Sequence, residues 1–298
     1  MKLAGLLLAV SSGSSRLRAP LLSLADHPEG DCLSETVYAI YKPRGVLSAA
    51  SDNCLQQRQR RRTLGDLIAH AGMAPLSGHV GRLDAETSGL ILVTSHPLLL
   101  QALLNWPQIL AEHGGRAVEK RYRLLVAGKV GPDAISSLRQ PLQHARGGRE
   151  YHSDAAVSVE VISTVRDPVA ATEYELLDRD DHAVVAATRR RLQAARKPAR
   201  SRATGALMPA YIPEDGWLTQ VDVRLAQGRH HQVRRLCTRA GLKLRHLRRE
   251  SVGPIGLNGL APGDVRELSR DEKKELYRLC LPRLLDAQQA WRRTRGRG

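Results

Sequence analysis

The sequence of 298 residues contains no Phe, and aromatic residues make up only 3% of it. Hydrophobic residues still account for 42%, so Leu, Val, Ile and Ala must fill the interior. This length and apolar content suffice for one large domain or two smaller ones. No internal repeat is present.

Cysteine is scarce and scattered. The four Cys residues, at positions 32, 54, 237 and 280, form no C-x-x-C pair. Neither a zinc knuckle nor a disulfide framework is therefore visible, and the pattern fits a reducing compartment best. The sequence also contains no P-loop and no G-x-G-x-x-G motif.

Acidic residues are few relative to basic ones. Lys and Arg total 46 against 30 Asp and Glu, which gives a formal net charge of +16. Such charge would neutralise backbone phosphates and release their counterions, so a partner that carries many phosphates is the natural interpretation. Charge alone leaves open the alternative of solubility or an unstructured basic tail.

The first 25 residues contain no acid. They carry Lys2, Arg16 and Arg18 and a Ser cluster after the short apolar run 6–10, a composition typical of an organellar transit peptide. We therefore expect residues 1–36 to be a leader or disordered, and the protein to enter a mitochondrion or plastid; a disordered N-terminus of a cytoplasmic protein is the alternative. The apolar run is too short to span a bilayer, and we expect no membrane partner.

The folded region is predicted to extend from residue 37 to 282. Alternation, caps and turn residues predict strands at 37–41, 90–94, 119–126, 155–166 and 216–225, and helices at 63–68, 97–104, 230–240 and 271–281. Between residues 186 and 204 seven cations stand without an acid. An insertion at about 180–212 is therefore predicted to stay disordered until something anionic binds it, and residues 283–298 to form a basic tail.

The stretch GRLDAETSGL, residues 81–90, places Asp84 after a tight turn and before two hydroxyls, a Gly and an apolar strand. A carboxylate in this place can be a reactive group held at the edge of a scaffold. It can also merely cap the turn with Thr87 or Ser88, a common role for a turn Asp. The stretch by itself leaves both possibilities open.

Five blocks, in this order, resemble one family. GRLDAETSGLILVT at 81–94, VEKRYRLLVAG at 118–128 and GRHHQVRRL at 228–236 are similar to the three motifs of the RsuA-type pseudouridine synthases that modify ribosomal RNA. YKPRGVLS at 41–48 resembles the opening strand and turn of that branch, and residues 247–272 resemble its C-terminal signature. Together the blocks cover most of the chain from 37 to 281.

The resemblance implies an α+β pseudouridine synthase fold, with a mixed, largely antiparallel sheet in two lobes around an RNA-binding cleft. It implies isomerisation of uridine to pseudouridine in RNA, with ribosomal RNA as the expected substrate, and it requires no cofactor and no metal. We expect a monomer without the S4 domain that many relatives carry. The rival hypothesis is a non-catalytic RNA-binding or ribosome-assembly protein that retains the fold. A third hypothesis, a DNA-binding protein, is not supported, because the sequence contains no helix-turn-helix or zinc-finger pattern.

By the resemblance, Asp84 is the nucleophile, and Arg234 is the cation that keeps it ionised in a poorly hydrated pocket. The ring of Tyr122 would pack against the target uracil, and its hydroxyl would assist removal of the C5 proton. Further residues are expected to contact RNA: Arg82, Lys120, Arg229, His231, Gln232 and Arg235. Each role has a plainer alternative, in which Tyr122 and Lys120 are ordinary strand residues and Arg234 and Arg235 form a solvated helix face.

Two adjacent histidines, His230 and His231, suggest metal binding or acid–base work. Adjacent residues on a helix point in different directions, so we predict a structural or RNA-facing role for them instead. The sequence departs from the family at Tyr41, where Asn is common, at Gln227, where an acid is common, and at 95–97, where Asn-Asp-Gly is common. None of these departures removes a catalytic group, so they bear on the substrate.

Overall fold

A computed structural model gives the fold. It describes residues 36–49, 61–75, 78–95, 99–100, 103–104, 118–146, 149–166, 199–200, 207–208 and 217–279. Four predicted segments lie wholly or partly outside these ranges: the leader up to residue 35, the basic tail, most of the basic insertion, and half of the helix predicted at 97–104. None of the helices in the described ranges has the length and apolar character needed to cross a membrane.

A nine-stranded sheet runs through the described part of the chain. Its strands are β1 Val37–Lys42, β2 Gly78–His79, β3 Ser88–Thr94, β4 Lys120–Ala127, β7 Ser158–Arg166, β10 Trp217–Leu225, β11 Lys243–Val252, β12 Ile255–Gly256 and β13 Val265–Glu267. The order is β13-β1-β3-β11-β4-β10-β7, with β2 beside β3 and β12 beside β11. Every pairing is antiparallel except that of β3 with β11, which confirms the predicted mixed, largely antiparallel sheet.

Two further strand pairs stand outside this sheet. β5 (Leu142–Arg146) pairs with β6 (Arg149–Ser153), and β8 (Ala199–Arg200) pairs with β9 (Leu207–Met208). The second pair lies inside the insertion predicted at about 180–212, and these four residues pair as short strands. β8 and β9 pair through backbone N–H and C=O groups, and the basic side chains of the insertion do not prevent that pairing.

The described helices are α1 Leu64–His70, α2 Pro132–Arg139, α3 Gln232–Arg239 and α4, residues 270–279. α1 begins at the predicted cap. The Thr63 hydroxyl accepts from the Asp66 N–H, and the Asp66 carboxylate accepts from the Thr63 N–H over 2.8 Å, which satisfies two backbone donors of the first turn. α3 begins two residues later than predicted, because His231 has a left-handed backbone and stands outside the helix.

The core has two halves. β1 and β3 are buried at every residue, because one face of these strands packs in one apolar cluster and the opposite face packs in a second cluster. β4 alternates instead, and Tyr122 and Leu124 belong to another cluster formed with β10, α2 and α3. The halves meet where β3 and β11 pair, at Ser88 with Arg248 and Gly89 with Arg249. The Asp84 stretch connects β2 to β3 beside this junction.

Candidate active site

The loop that carries Asp84 is fixed at its backbone. The Thr87 N–H donates to the Asp84 carbonyl over 3.0 Å and closes a turn. Immediately before Asp84, the Ser48 hydroxyl donates to the Leu83 carbonyl over 2.7 Å and accepts from the Leu83 N–H over 3.0 Å. Hydrogen bonds therefore hold the backbone on both sides of Asp84, whose side chain is 34% exposed.

A buried lysine lies beneath this loop. The Lys42 ammonium donates to the carbonyls of Pro43 and Val46, at 2.9 and 2.7 Å, and to that of Ala85 at 3.4 Å. Burial lowers the pKa of Lys42 to about 7, although the nearby carboxylates of Glu86 and Asp84 oppose that shift. The block YKPRGVLS thus supports the Asp84 loop, a function that its turn residues alone did not reveal.

A second buried cation braces both ends of the loop. Arg249 of β11 is 1% exposed, and its guanidinium donates to the Leu90 carbonyl over 2.7 Å and to the Val80 carbonyl over 3.3 Å. These carbonyls stand on either side of Asp84 in the chain. Sequence reasoning assigned no role to Arg249, since a buried Arg that serves carbonyl groups looks like any other cation in a basic sequence.

Arg234 reaches Asp84 from the first turns of α3. Its Nε donates to Asp84 Oδ2 over 3.3 Å, and its Nη2 donates to the Glu86 carbonyl and the Thr87 hydroxyl, both over 3.0 Å. The two residues are 150 positions apart in the sequence, and the fold brings them together. One guanidinium thereby holds both the carboxylate and the loop that presents it.

His231 contacts the other carboxylate oxygen of Asp84. Its Nε2 lies 3.1 Å from Asp84 Oδ1, and its ring stacks on that of His230 with the ring centres 3.8 Å apart and the planes inclined by 18°. The prediction that the two side chains point in different directions is wrong. It assumed a helical backbone, whereas His231 has φ 54° and ψ 24°, which turns its ring onto that of its neighbour.

A cleft of about 450 Å³ opens between the Asp84 loop and the start of α3. Tyr122, which is 7% exposed on β4, forms part of its wall together with Asp84 and Arg234. The remaining wall is His79, Gly81, Arg82, Leu83, Thr87, Leu104, Leu225, Gly228, Arg229, His230, His231, Gln232, Val233 and Leu247. The three residues predicted to be catalytic therefore share one cavity.

The residues predicted to contact RNA differ in position. Arg82 and Arg229 are exposed and line the cleft. Gln232 also lines it but is 3% exposed, and its side-chain oxygen accepts from the Arg229 N–H over 3.1 Å, which braces the turn before α3. Lys120 is 3% exposed and donates to the Val118 carbonyl, which favours the strand-residue alternative. Arg235 is half-buried and lies outside the cleft wall.

The cations on the other face of β4 are engaged elsewhere. Arg123 Nε donates to Asp222 Oδ1 over 2.9 Å, and Arg121 binds the same carboxylate. Burial opposes ionisation of Asp222, but the hydrogen bonds from the two guanidinium groups outweigh it and lower the pKa of that carboxyl. Tyr122 therefore faces the cleft on a strand whose opposite face is held by an ion-pair cluster.

His79 is a cleft residue that the motifs did not indicate. Burial lowers its pKa, and the nearby guanidinium groups of Arg82 and Arg249 lower it further, which favours the uncharged ring. It ends β2 and precedes the resembling block, and no sequence signal distinguished it. The cleft thus combines a carboxylate, an imidazole whose pKa is lowered, an aromatic ring, several leucines and the exposed guanidinium groups of Arg82 and Arg229. This arrangement suits a flat uncharged base with anionic groups at the rim.

The model of the RNA pseudouridylate synthase family matches residues 36–239 of this chain. The chain belongs to this family. A relative named as an uncharacterized RNA pseudouridine synthase of Mycobacterium leprae is 30% identical over 242 residues, which cover 80% of this chain and 68% of the relative. The ribosomal large subunit pseudouridine synthase B of Bacillus subtilis is 24% identical over 247 residues, covering 83% of this chain and 73% of that protein.

A solved pseudouridylate synthase has the same fold. It superposes with a TM-score of 0.50 at 17% identity, covering 82% of this chain and 74% of the solved chain. The family resemblance that the five blocks predicted is confirmed, and the synthase is an isomerase that acts on RNA.

Proposed function

We propose that the synthase isomerises uridine in ribosomal RNA, with Asp84 as the nucleophile. The observation that carries this proposal is the position of Asp84 in the cleft: partly exposed, held by Arg234 and facing the wall that contains Tyr122. The Arg234 contact places a guanidinium beside the carboxylate that would attack carbon. A turn cap would not require such a cation from another element.

The reaction needs no atom from outside the nucleotide. The bond between ribose C1′ and uracil N1 breaks while the Asp84 carboxylate bonds to the sugar. The released uracil turns, its C5 bonds to C1′ and the carboxylate leaves. A base then takes the proton from C5 and N1 gains a proton, so the product is an isomer of the reactant. The base has to leave the RNA stack to reach Asp84. In the cleft the ring of Tyr122 would hold the turning base, and the exposed guanidinium of Arg82 would meet the RNA beside the vacated place.

Ribosomal RNA is the proposed substrate because of what the relatives are named. The proteins of Bacillus subtilis and Yersinia pestis that match this chain are both called ribosomal large subunit pseudouridine synthase B. The net charge of +16 agrees with a large polyanionic partner.

The test compares Asp84→Asn with Asp271→Asn, a control carboxylate that is 90% exposed on α4. Each variant is incubated with ribosomal RNA from cells that lack the enzyme, and pseudouridines are mapped. We expect Asp84→Asn to lower the rate by at least about a thousandfold, as loss of a nucleophile does, and the control to retain it. A variant Asp84→Asn that modifies the RNA normally would contradict the nucleophile. Modification of other RNA but not of ribosomal RNA would contradict the substrate.

A further inference from the structure

We propose that Asp84, His230 and His231 form a binding site for a transition-metal ion of the zinc class, and that the bound ion inhibits the enzyme. One ligand atom from each of the three residues lies within 4.8 Å of the other two. His231 Nε2 lies 3.1 Å from Asp84 Oδ1. The site lies in the cleft, where solvent can supply the remaining ligand.

The backbone of His231 creates this arrangement. A left-handed conformation is uncommon outside Gly and is strained, so it persists only where the surroundings impose it. In a helix the two rings would diverge. Here the left-handed residue stacks them, and both nitrogen-bearing edges lie beside one carboxylate.

The donor set selects the ion. Two imidazoles and one carboxylate are typical ligands of Zn²⁺ and of its neighbours Ni²⁺ and Cu²⁺, whereas Mg²⁺ takes oxygen ligands and keeps its waters. Ligand distances of about 2.0–2.2 Å require donor atoms about 3.5 Å apart. A pair at the 4.8 Å limit would therefore approach by roughly an ångström, and the stacked rings must rotate to direct their lone pairs at the ion. Both histidines are exposed, so their side-chain torsions can change to allow this.

Arg234 does not occupy the oxygen that the metal would take. Its Nε lies on Asp84 Oδ2, while His231 lies on Oδ1. An ion on Oδ1 would share the carboxylate with the guanidinium. It would also withdraw negative charge from the carboxylate and fill the approach to it, which is why bound metal should inhibit; this half of the inference rests on the proposed function of Asp84.

The binding test uses the full-length protein and Zn²⁺ alone, with excess Mg²⁺ in every buffer. Calorimetric titration compares the wild type with His230→Asn, and with His152→Asn as a control imidazole that is 63% exposed on β6. We expect His230→Asn to weaken the tightest Zn²⁺ affinity at least about tenfold, since even loss of an outer-shell partner costs that much, and the control to leave it unchanged. Equal affinity in all three proteins overturns the site.

The inhibition test follows the rate of each protein with and without Zn²⁺, and scales it to that protein's own metal-free rate. We expect the wild type and His152→Asn to be inhibited at the concentration at which they bind, and His230→Asn to need about tenfold more. Wild-type protein that binds Zn²⁺ but keeps its full rate overturns the inhibitory half. If no pseudouridine forms even without metal, the proposed function fails, while the calorimetric result still decides the site.

Discussion

Arg234 holds Asp84 by more than charge. Its guanidinium contacts the carboxylate, a backbone carbonyl and a hydroxyl of the same loop. A Lys in its place would supply the charge as a single point on a flexible stem, without the fork that makes these contacts together. We expect Arg234→Lys to lower kcat about a hundredfold, the loss typical of a small displacement of a reacting group, with a much smaller change in KM.

Arg235→Lys provides the matched control for this prediction. Arg235 is the next residue of the same helix, is half-buried and lies outside the cleft wall. Steady-state rates on a ribosomal RNA fragment are measured for both variants. An equal decrease in kcat in the two variants would contradict this prediction, because it would mean that replacing any Arg of α3 by Lys lowers the rate.

The site residues that could be identified from the sequence are those that lie within a short, continuous motif. Asp84, Tyr122 and Arg234 each stand inside a compact block, and the structure brings the three blocks to one cleft. The contacts of His231, Lys42 and Arg249 were missed because they depend on backbone angles and burial that only the complete fold sets. A left-handed His cannot be told from a helical one by its neighbours in the chain.

At the level of elements, the junction of β3 with β11 determines how the two halves of the core fit. Gly89 lies in this junction with φ +111°, and a Cβ built there would lie 2.3 Å from the Arg249 carbonyl oxygen and 2.5 Å from its nitrogen. Neither backbone atom can yield without separating the strands. Since Arg249 also braces the Asp84 loop, the same shift would displace the site.

We therefore expect Gly89→Ala to lower the free energy of unfolding by about 1–3 kcal/mol more than Gly72→Ala, the cost typical of an overpacked site. Gly72 also has a positive φ, +68°, but a Cβ there would meet nothing within 4 Å, so its variant measures backbone strain alone. Urea unfolding of both proteins supplies the comparison. If the two substitutions cost the same, the close approach of β3 and β11 is not what requires Gly89.

The strands themselves were largely predictable. Alternation along 119–126 predicted β4 to within one residue, and apolar runs predicted β1 and β3. Their order was not predictable from the residues, because most pairings join segments distant in the chain through main-chain groups that carry no sequence information. The clearest case is the parallel pair of β3 with β11 in the described sheet, which lies beside the Asp84 loop.

For the whole molecule, the net charge of +16 predicts that phosphate contacts supply much of the affinity for RNA. The exposed cations of the cleft wall, Arg82 and Arg229, supply only a small part of this net charge. Residues 186–204 add seven cations without an acid, most of them outside the described residues, and the tail adds Arg292, Arg293, Arg295 and Arg297. We propose that the 186–204 segment binds phosphates remote from the reacting uridine.

Deleting 186–204, or replacing its seven cations with Gln at constant length, should then weaken RNA binding and flatten its dependence on salt. The slope of log affinity against log salt should become shallower by about 0.7 for each phosphate that the variant no longer neutralises. Because the cations act on affinity and not on Asp84, the rate at saturating RNA should stay close to that of the wild type. Gln substitution of Arg292, Arg293, Arg295 and Arg297 is the comparison, since it removes charge of the same kind elsewhere. Binding that is unchanged across a salt series in the 186–204 variants would show that the segment does not bind the RNA.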